Sequence, residues 1–154
     1  MAVSVGVISD THGLMRPEAL AALVGSDLII HAGDVGAEQV LEALERIAPV
    51  QAIRGNVDTG GWAGQLPETR EVRVGNVRIW VLHDLHQLPL NPTSAGYQAV
   101  ISGHSHRPGI EEKNGILYLN PGSAGPRRFR LPVSVARCQV RESAIQAELL
   151  ELAV

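Results

Sequence analysis

The chain has 154 residues, of which 45% are apolar and 19% charged; one packed domain spanning 1–154 is expected, and disorder as the main state is excluded. With 13 Lys+Arg against 16 Asp+Glu the formal charge is −3, and aromatics are only 3%, so a basic nucleic-acid binder and a base-stacking platform are both disfavoured. The single cysteine, Cys138, excludes internal disulfides and cysteine-ligated zinc, no apolar run reaches the roughly 18 residues of a membrane helix, and Met1 to Val5 lacks a basic leader, so a reducing cytoplasm is the expected location.

Val3 to Ile8, short and rich in valine, predicts a first buried strand, left through Asp10-Thr11-His12-Gly13. Pro17 to Val24 predicts a helix, with proline in its first turn and Gly25 closing it. Leu28 to His31 is the second strand, left through Ala32-Gly33-Asp34. From Ala37 to Ile47, Val40, Leu41, Leu44 and Ile47 recur at helical spacing, with Pro49 as the stop. Val50 to Ile53 is the third strand, left through Arg54-Gly55-Asn56-Val57-Asp58. This β-α-β-α-β order implies a parallel sheet with right-handed crossovers.

The second half changes character. Glu71 to Val74 and Val77 to Leu82 flank Gly75-Asn76, and Ile110 to Glu112 and Ile116 to Leu119 flank Asn114-Gly115; both read as hairpins. Val133 to Val140 and Ala144 to Leu152 predict a third around Arg141-Glu142-Ser143. Residues 59 to 69 and 84 to 97 read as loops, with a short helix near Thr93 to Gln98. Trp62 and Trp80 read as packing residues, since neither has a neighbouring aromatic. The class is α/β, parallel first and hairpins after. The exposed hairpin edges would also allow a homo-oligomer.

The polar residues then fall into one pattern. Asp10 and His12 follow the first strand, Asp34 the second, Asn56 the third, His83 the strand ending at Leu82, and His104 and His106 the strand Val100 to Ile101. All stand at C-terminal strand ends, which share one edge of an open α/β sheet and border the crevice where ligands bind. Oxygen and nitrogen donors without thiolate suit Mn, Fe, Zn, Co or Ni better than Ca. Seven candidates exceed what one ion with an open position needs, so two divalent ions are the natural count. With two carboxylates against four positive charges, the centre attracts an anion. A bridging hydroxide could attack phosphorus in line while both ions neutralise its oxygens.

Asp10-x-His12, Gly33-Asp34, Gly55-Asn56, His83 and Gly103-His104-Ser105-His106 resemble, in order and context, the motif series of the calcineurin-like metallophosphoesterase superfamily. Asn120-Pro121-Gly122-Ser123 adds a likeness to its small bacterial and archaeal phosphodiesterase branch, and the whole likeness spans about residues 3 to 130. The resemblance implies an α/β sandwich of two mixed β-sheets flanked by helices. It implies one metal on Asp10, His12, Asp34 and His106 and another on Asp34, Asn56, His83 and His104, with Asp34 shared and manganese foremost. Asp34, Asn56 and His104 are the residues expected to carry catalysis, on a small phosphate-ester substrate and with no membrane or nucleic acid as partner. The preference for diesters over monoesters rests on the resemblance alone.

Two positions depart from the pattern. Many members carry a histidine after the Gly-Asn that protonates the leaving group; here it is Val57. Roughly 10²–10⁴ in rate from acid catalysis is then missing for poor leaving groups. In His83-Asp84-Leu85-His86, where the small branch typically carries His-Gly-His, Asp84 puts a carboxylate beside a ligand and leaves substrate preference open.

Other residues take humbler readings. His31 is a buried, hydrogen-bonded imidazole beside the site, His86 a loop histidine, and Thr11 and Asp58 cap or orient neighbours. Arg127 and Arg128 could form a basic rim for phosphate oxygens. There is no Gly-x-Ser-x-Gly elbow and no phosphate-binding Gly-x-x-x-x-Gly-Lys loop. His104-x-His106 continues to Arg107-Pro108 rather than the Asp-His of metallo-β-lactamases. The rivals are a phosphomonoesterase, a nuclease, or a non-catalytic scaffold of the same fold, as in a subunit of the eukaryotic retromer complex.

Overall fold

A computed structural model describes residues 2–154. Strands β1 (Ala2–Ile8), β2 (Leu28–His31) and β3 (Val50–Ala52) run parallel, and the first sheet continues from β1 into β9 (Ser134–Arg141) and β10 (Ala144–Glu151) in the order β10-β9-β1-β2-β3. β9 is antiparallel to β1 and pairs with β10 as a hairpin turning on Glu142, whose φ is 54°. The second sheet has the order β4-β5-β6-β8-β7, from β4 (Thr69–Val74), β5 (Val77–Leu82), β6 (Ala99–Ile101), β7 (Gly109–Lys113) and β8 (Ile116–Asn120). Its inner strands β5, β6 and β8 are parallel, and β4 and β7 are hairpin partners at its edges.

The sheets pack face to face. Val5, Val7, Ile30 and Ile53 of the first meet Val72, Ile79, Ile101 and Leu119 of the second in one buried core. Helices α1 (Pro17–Leu23) and α2 (Glu38–Glu45) cover the other face of the first sheet, where Leu23, Val40 and Leu44 bury against Ile8, Ile29 and Val135. Each such side chain contributes roughly 1.5–3 kcal/mol on leaving water. β1 is therefore apolar on both faces, as a strand between two layers must be. Among the described residues no helix is long and apolar enough to cross a membrane.

Several boundaries move. The first helix stops one residue early at Leu23, the second is shorter at both ends, and the third strand ends at Ala52. The expected loop 59–69 contains a 3₁₀ turn at Ala63–Gln65 and already pairs at Thr69, opposite Leu82. The short helix lies at α3 (Pro92–Ala95), earlier than expected, because Asn91 Oδ1 accepts from the Thr93 and Ser94 N–H groups and Gly96 closes it at φ 85°. Trp80 does have an aromatic partner: Tyr97 meets it edge-on with centroids 5.5 Å apart, a pairing that only the second sheet brings about. Trp62 packs against the helical core as expected.

Candidate metal centre

The parallel strands of both sheets deliver their exits to one edge. From the first sheet come Asp10 and His12, Asp34 and Asn56; from the second come His83, His104 and His106. Asp10, His12 and His106 form one group with donor atoms within 4.8 Å of one another, and Asp10, Asp34 and His83 form a second. Asp10 Oδ1 is central: it lies 3.4 Å from His106 Nε2, 3.7 Å from His12 Nε2 and 3.7 Å from His83 Nε2. Asp34 Oδ2 faces both groups, 3.1 Å from His83 Nε2 and 3.7 Å from His12 Nε2. His12 and His106 bring their Nε2 atoms within 3.4 Å. Asp10 thus joins the two groups as closely as Asp34, where the resemblance gives the shared role to Asp34 alone.

Asn56 and His104 stand at the open side. Asn56 lines a cleft of about 440 Å³ together with His83. His104, with 43% of its side chain exposed, sets its ring edge-on to His83 at 5.2 Å and lines a second cleft of about 790 Å³. Arg127 and Arg128 line neither cleft; Arg127 Nη2 donates to the Val154 carbonyl at 3.2 Å instead.

The surroundings orient these side chains. His83 Nδ1–H donates to the Ala32 carbonyl at 2.7 Å, which aims Nε2 at the carboxylates. Ser9 Oγ–H and the His104 N–H donate to Asp10 Oδ2 at 2.7 and 3.1 Å, leaving Oδ1 pointing inward. The Val57 N–H binds Asp34 Oδ1 in the same way at 3.0 Å. Asp58 accepts from the Val35, Gly36 and Gly55 N–H groups, so one buried carboxylate ties the exits of β2 and β3 together. Asn120 Nδ2 donates to the Gly103 carbonyl and to Ser105 Oγ, fixing the loop that carries His104 and His106. Ser9 is the contributor that motif reading misses; its only sequence signal is its place between the first strand and Asp10.

Backbone geometry is also unusual here. Eight non-glycine residues have positive φ among those described, and five are candidate ligands: Asp10, His12, Asp34, His104 and His106. Glycines flank them because the loops nearly touch. A Cβ on Gly55 would collide with the Asp34 backbone N and Oδ1, and one on Gly103 would collide with Ser9 Oγ and sit 2.6 Å from Asp10 Oδ2.

Burial works against ionising Asp10, yet His106, His83 and Ser9 beside it hold its carboxyl below the ordinary value. Asp34 is likewise partly buried, and His83 and the Val57 N–H pull its carboxyl well below the ordinary range. Burial disfavours a charged His83, but Asp34 and Asp10 outweigh it and raise its pKa. Despite this attraction, Asp10 Oδ1 and His83 Nε2 are buried without a hydrogen-bond partner. Such groups carry a large desolvation cost unless a cation satisfies them. Carboxylate oxygens and imidazole nitrogens converging at 3.1–3.7 Å fit a divalent transition metal.

Two packed mixed sheets that bring buried acids and imidazoles to one edge define a metallophosphoesterase-fold protein. The chain belongs to the calcineurin-like phosphoesterase superfamily, whose domain model matches residues 3–143. A probable metallophosphoesterase of Methanothermobacter thermautotrophicus is 34% identical over 158 residues, covering 95% of this chain and 91% of the relative. A solved structure of an archaeal phosphodiesterase superposes with a TM-score of 0.78 at 23% identity, covering 96% of this chain and 100% of that one. Zinc-bound Vps29 from Entamoeba histolytica superposes with a TM-score of 0.76 at 21% identity, covering 97% and 99%. The family makes the chain a phosphoesterase by kinship and implies divalent metal at the gathered ligands.

Proposed function

We propose that this chain is a phosphodiesterase that hydrolyses small phosphate esters at a centre of two divalent ions, manganese foremost. One observation carries the reading: donors from four separate loops converge, and two of them, Asp10 Oδ1 and His83 Nε2, are buried and unpartnered. Asp10, His12 and His106 would hold one ion; His83, Asn56 and His104 the other, with Asp34 between them. When bound, such ions act as Lewis acids that polarise phosphoryl oxygens and make water nucleophilic near neutral pH.

The rest of the work belongs to the side chains. Asp10 and Asp34 supply two negative charges against four positive ones, so the centre attracts an anion. His83, held by the Ala32 carbonyl, keeps its Nε2 inward in one tautomer. His104 and Asn56 form the open side where an ester enters. Val57, in place of histidine, offers no proton to the leaving oxygen, so activated esters are the better substrates.

The test is to load the protein with Mn²⁺, count bound ions by elemental analysis, and measure hydrolysis of bis-p-nitrophenyl phosphate. Asp34→Ala and His104→Ala are expected to lower kcat/KM by ~10²-fold or more, the scale of removing one group that stabilises transition-state charge. A folded wild type that binds no ion and turns over no ester would instead support the scaffold reading.

A further inference from the structure

We infer that Asp84 sets a preference for singly charged phosphodiesters over doubly charged phosphomonoesters; this deepens the proposed function and rests on it for the place of the phosphorus. The two clefts start at different candidate ligands. The larger runs from His104 past Leu85, Ile110 and Tyr118, and the smaller from Asn56 and His83 past Arg54 and Gln87. Among the described residues Asp84 alone lines both. An ester whose phosphorus lies at the centre therefore sends one arm toward each cleft, and the Asp84 carboxylate stands where they part.

That carboxylate is held in place. Its Oδ1 accepts from the His86 N–H at 3.1 Å, capping the 3₁₀ turn Leu85–Gln87, while Oδ2 lies 3.9 Å from His104 Nε2. Among the described residues no arginine or lysine pairs with it. Arg54 in the smaller cleft is bound to Glu68 at 3.2 Å, and Arg107 in the larger shares it with Glu111, so each cleft has one arginine against two carboxylates. A phosphomonoester carries its second negative charge, acquired with a pKa near 6, on an oxygen that has no organic arm. That oxygen takes the place of an arm at the divide between the clefts, where its charge and the Asp84 carboxylate repel each other. A diester puts uncharged arms in the same places. Selection thus works by repelling the wrong substrate.

Asp84→Asn and Asp84→Ser both keep an acceptor for the His86 N–H and remove the charge, whereas Asp84→Glu keeps the charge. With each Mn²⁺-loaded protein at pH 8, kcat/KM is measured for bis-p-nitrophenyl phosphate and p-nitrophenyl phosphate, the affinity for inorganic phosphate by calorimetry, and ion content by elemental analysis. Both neutral variants are expected to shift the diester-to-monoester ratio toward the monoester by about tenfold or more, mainly through KM, and to bind phosphate more tightly by a similar factor. Asp84→Glu should retain the diester preference. An unchanged ratio and phosphate affinity with the ions retained would overturn the inference, as would loss of ions from the neutral variants, which would make Asp84 part of the metal site. If the wild type turns over neither ester, the phosphodiesterase reading fails on its own; phosphate affinity still decides on Asp84, tighter in the neutral variants for it and equal against it.

Discussion

Thr11 Oγ1 lies 3.0 Å from His31 Nε2 and donates its own proton to the Val35 carbonyl at 2.8 Å. The Gly33 N–H occupies His31 Nδ1, so the imidazole is neutral, protonated at Nε2, and donates to Thr11. Burial pushes its pKa down to about 4. Between pH 6.5 and 4 the unfolded chain therefore takes up a proton that the folded chain refuses, and stability falls as pH falls through that window, by about 3 kcal/mol over its full width. Asp10 and Asp34, with lowered pKa values, lose their contribution below that window; His83, with a raised one, loses its contribution above it. Urea titrations of metal-free protein at pH 7 and 4.5 should show the drop, and His31→Asn, which keeps an acceptor for Gly33, should flatten it. An equal drop in the variant would refute the assignment.

Asp58 joins two ligand loops through three N–H groups at 2.8–3.1 Å. Hydrogen bonds to a charged acceptor are worth roughly 1.5–3 kcal/mol each, and partners that orient metal ligands typically govern 10–100-fold in affinity. Asp58→Ala should therefore lower stability by about 4 kcal/mol or more and weaken Mn²⁺ binding by ~10-fold or more. Calorimetric titration of Mn²⁺ into the folded variant checks this; wild-type affinity would leave Asp58 a purely structural residue.

Gly103→Ala places a methyl against Ser9 Oγ and Asp10 Oδ2, atoms that cannot retreat without breaking their own bond at 2.7 Å. Overpacking of this kind costs about 1–3 kcal/mol, and here it also turns Asp10 away from His106. A lower melting temperature with fewer ions bound per chain is expected. Full ion content would mean that the loop moves freely.

Val57 is an exposed residue whose N–H holds Asp34 Oδ1 at 3.0 Å, so its side chain can change without disturbing that bond. Val57→His should raise kcat on an alkyl phosphodiester by ~10-fold or more, toward the usual range of general acid catalysis, and change p-nitrophenyl esters much less. Equal effects on both leaving groups would argue against a missing acid.

The candidate ligands are legible because each stands within a few residues of the C-terminal end of a largely apolar strand, and parallel strands put those exits on one edge. Asn120 was readable as a motif, but its bonds to Gly103 and Ser105 were not, since they cross 17 and 15 residues. The sequence offers Arg127 as a candidate for a basic rim, whereas its bond to the Val154 carbonyl, 27 positions away, is a contact no local pattern encodes. The early start of β4 at Thr69 has the same origin: polar residues join a strand when the partner, here Leu82, supplies the register. Asp84 was visible as a departure from the pattern, but its place between two clefts depends on how the second sheet meets the first.

Five candidate ligands hold left-handed backbone conformations that side-chain-bearing residues ordinarily avoid, at a cost of about 1 kcal/mol or more each. Glycine at any of them would relax the chain while deleting a donor atom. A library of this protein screened without metal for heat resistance alone would therefore drift toward glycine at His12, His104 and His106, where no carboxylate contribution is lost, and the hardiest survivors would be those least able to hold an ion.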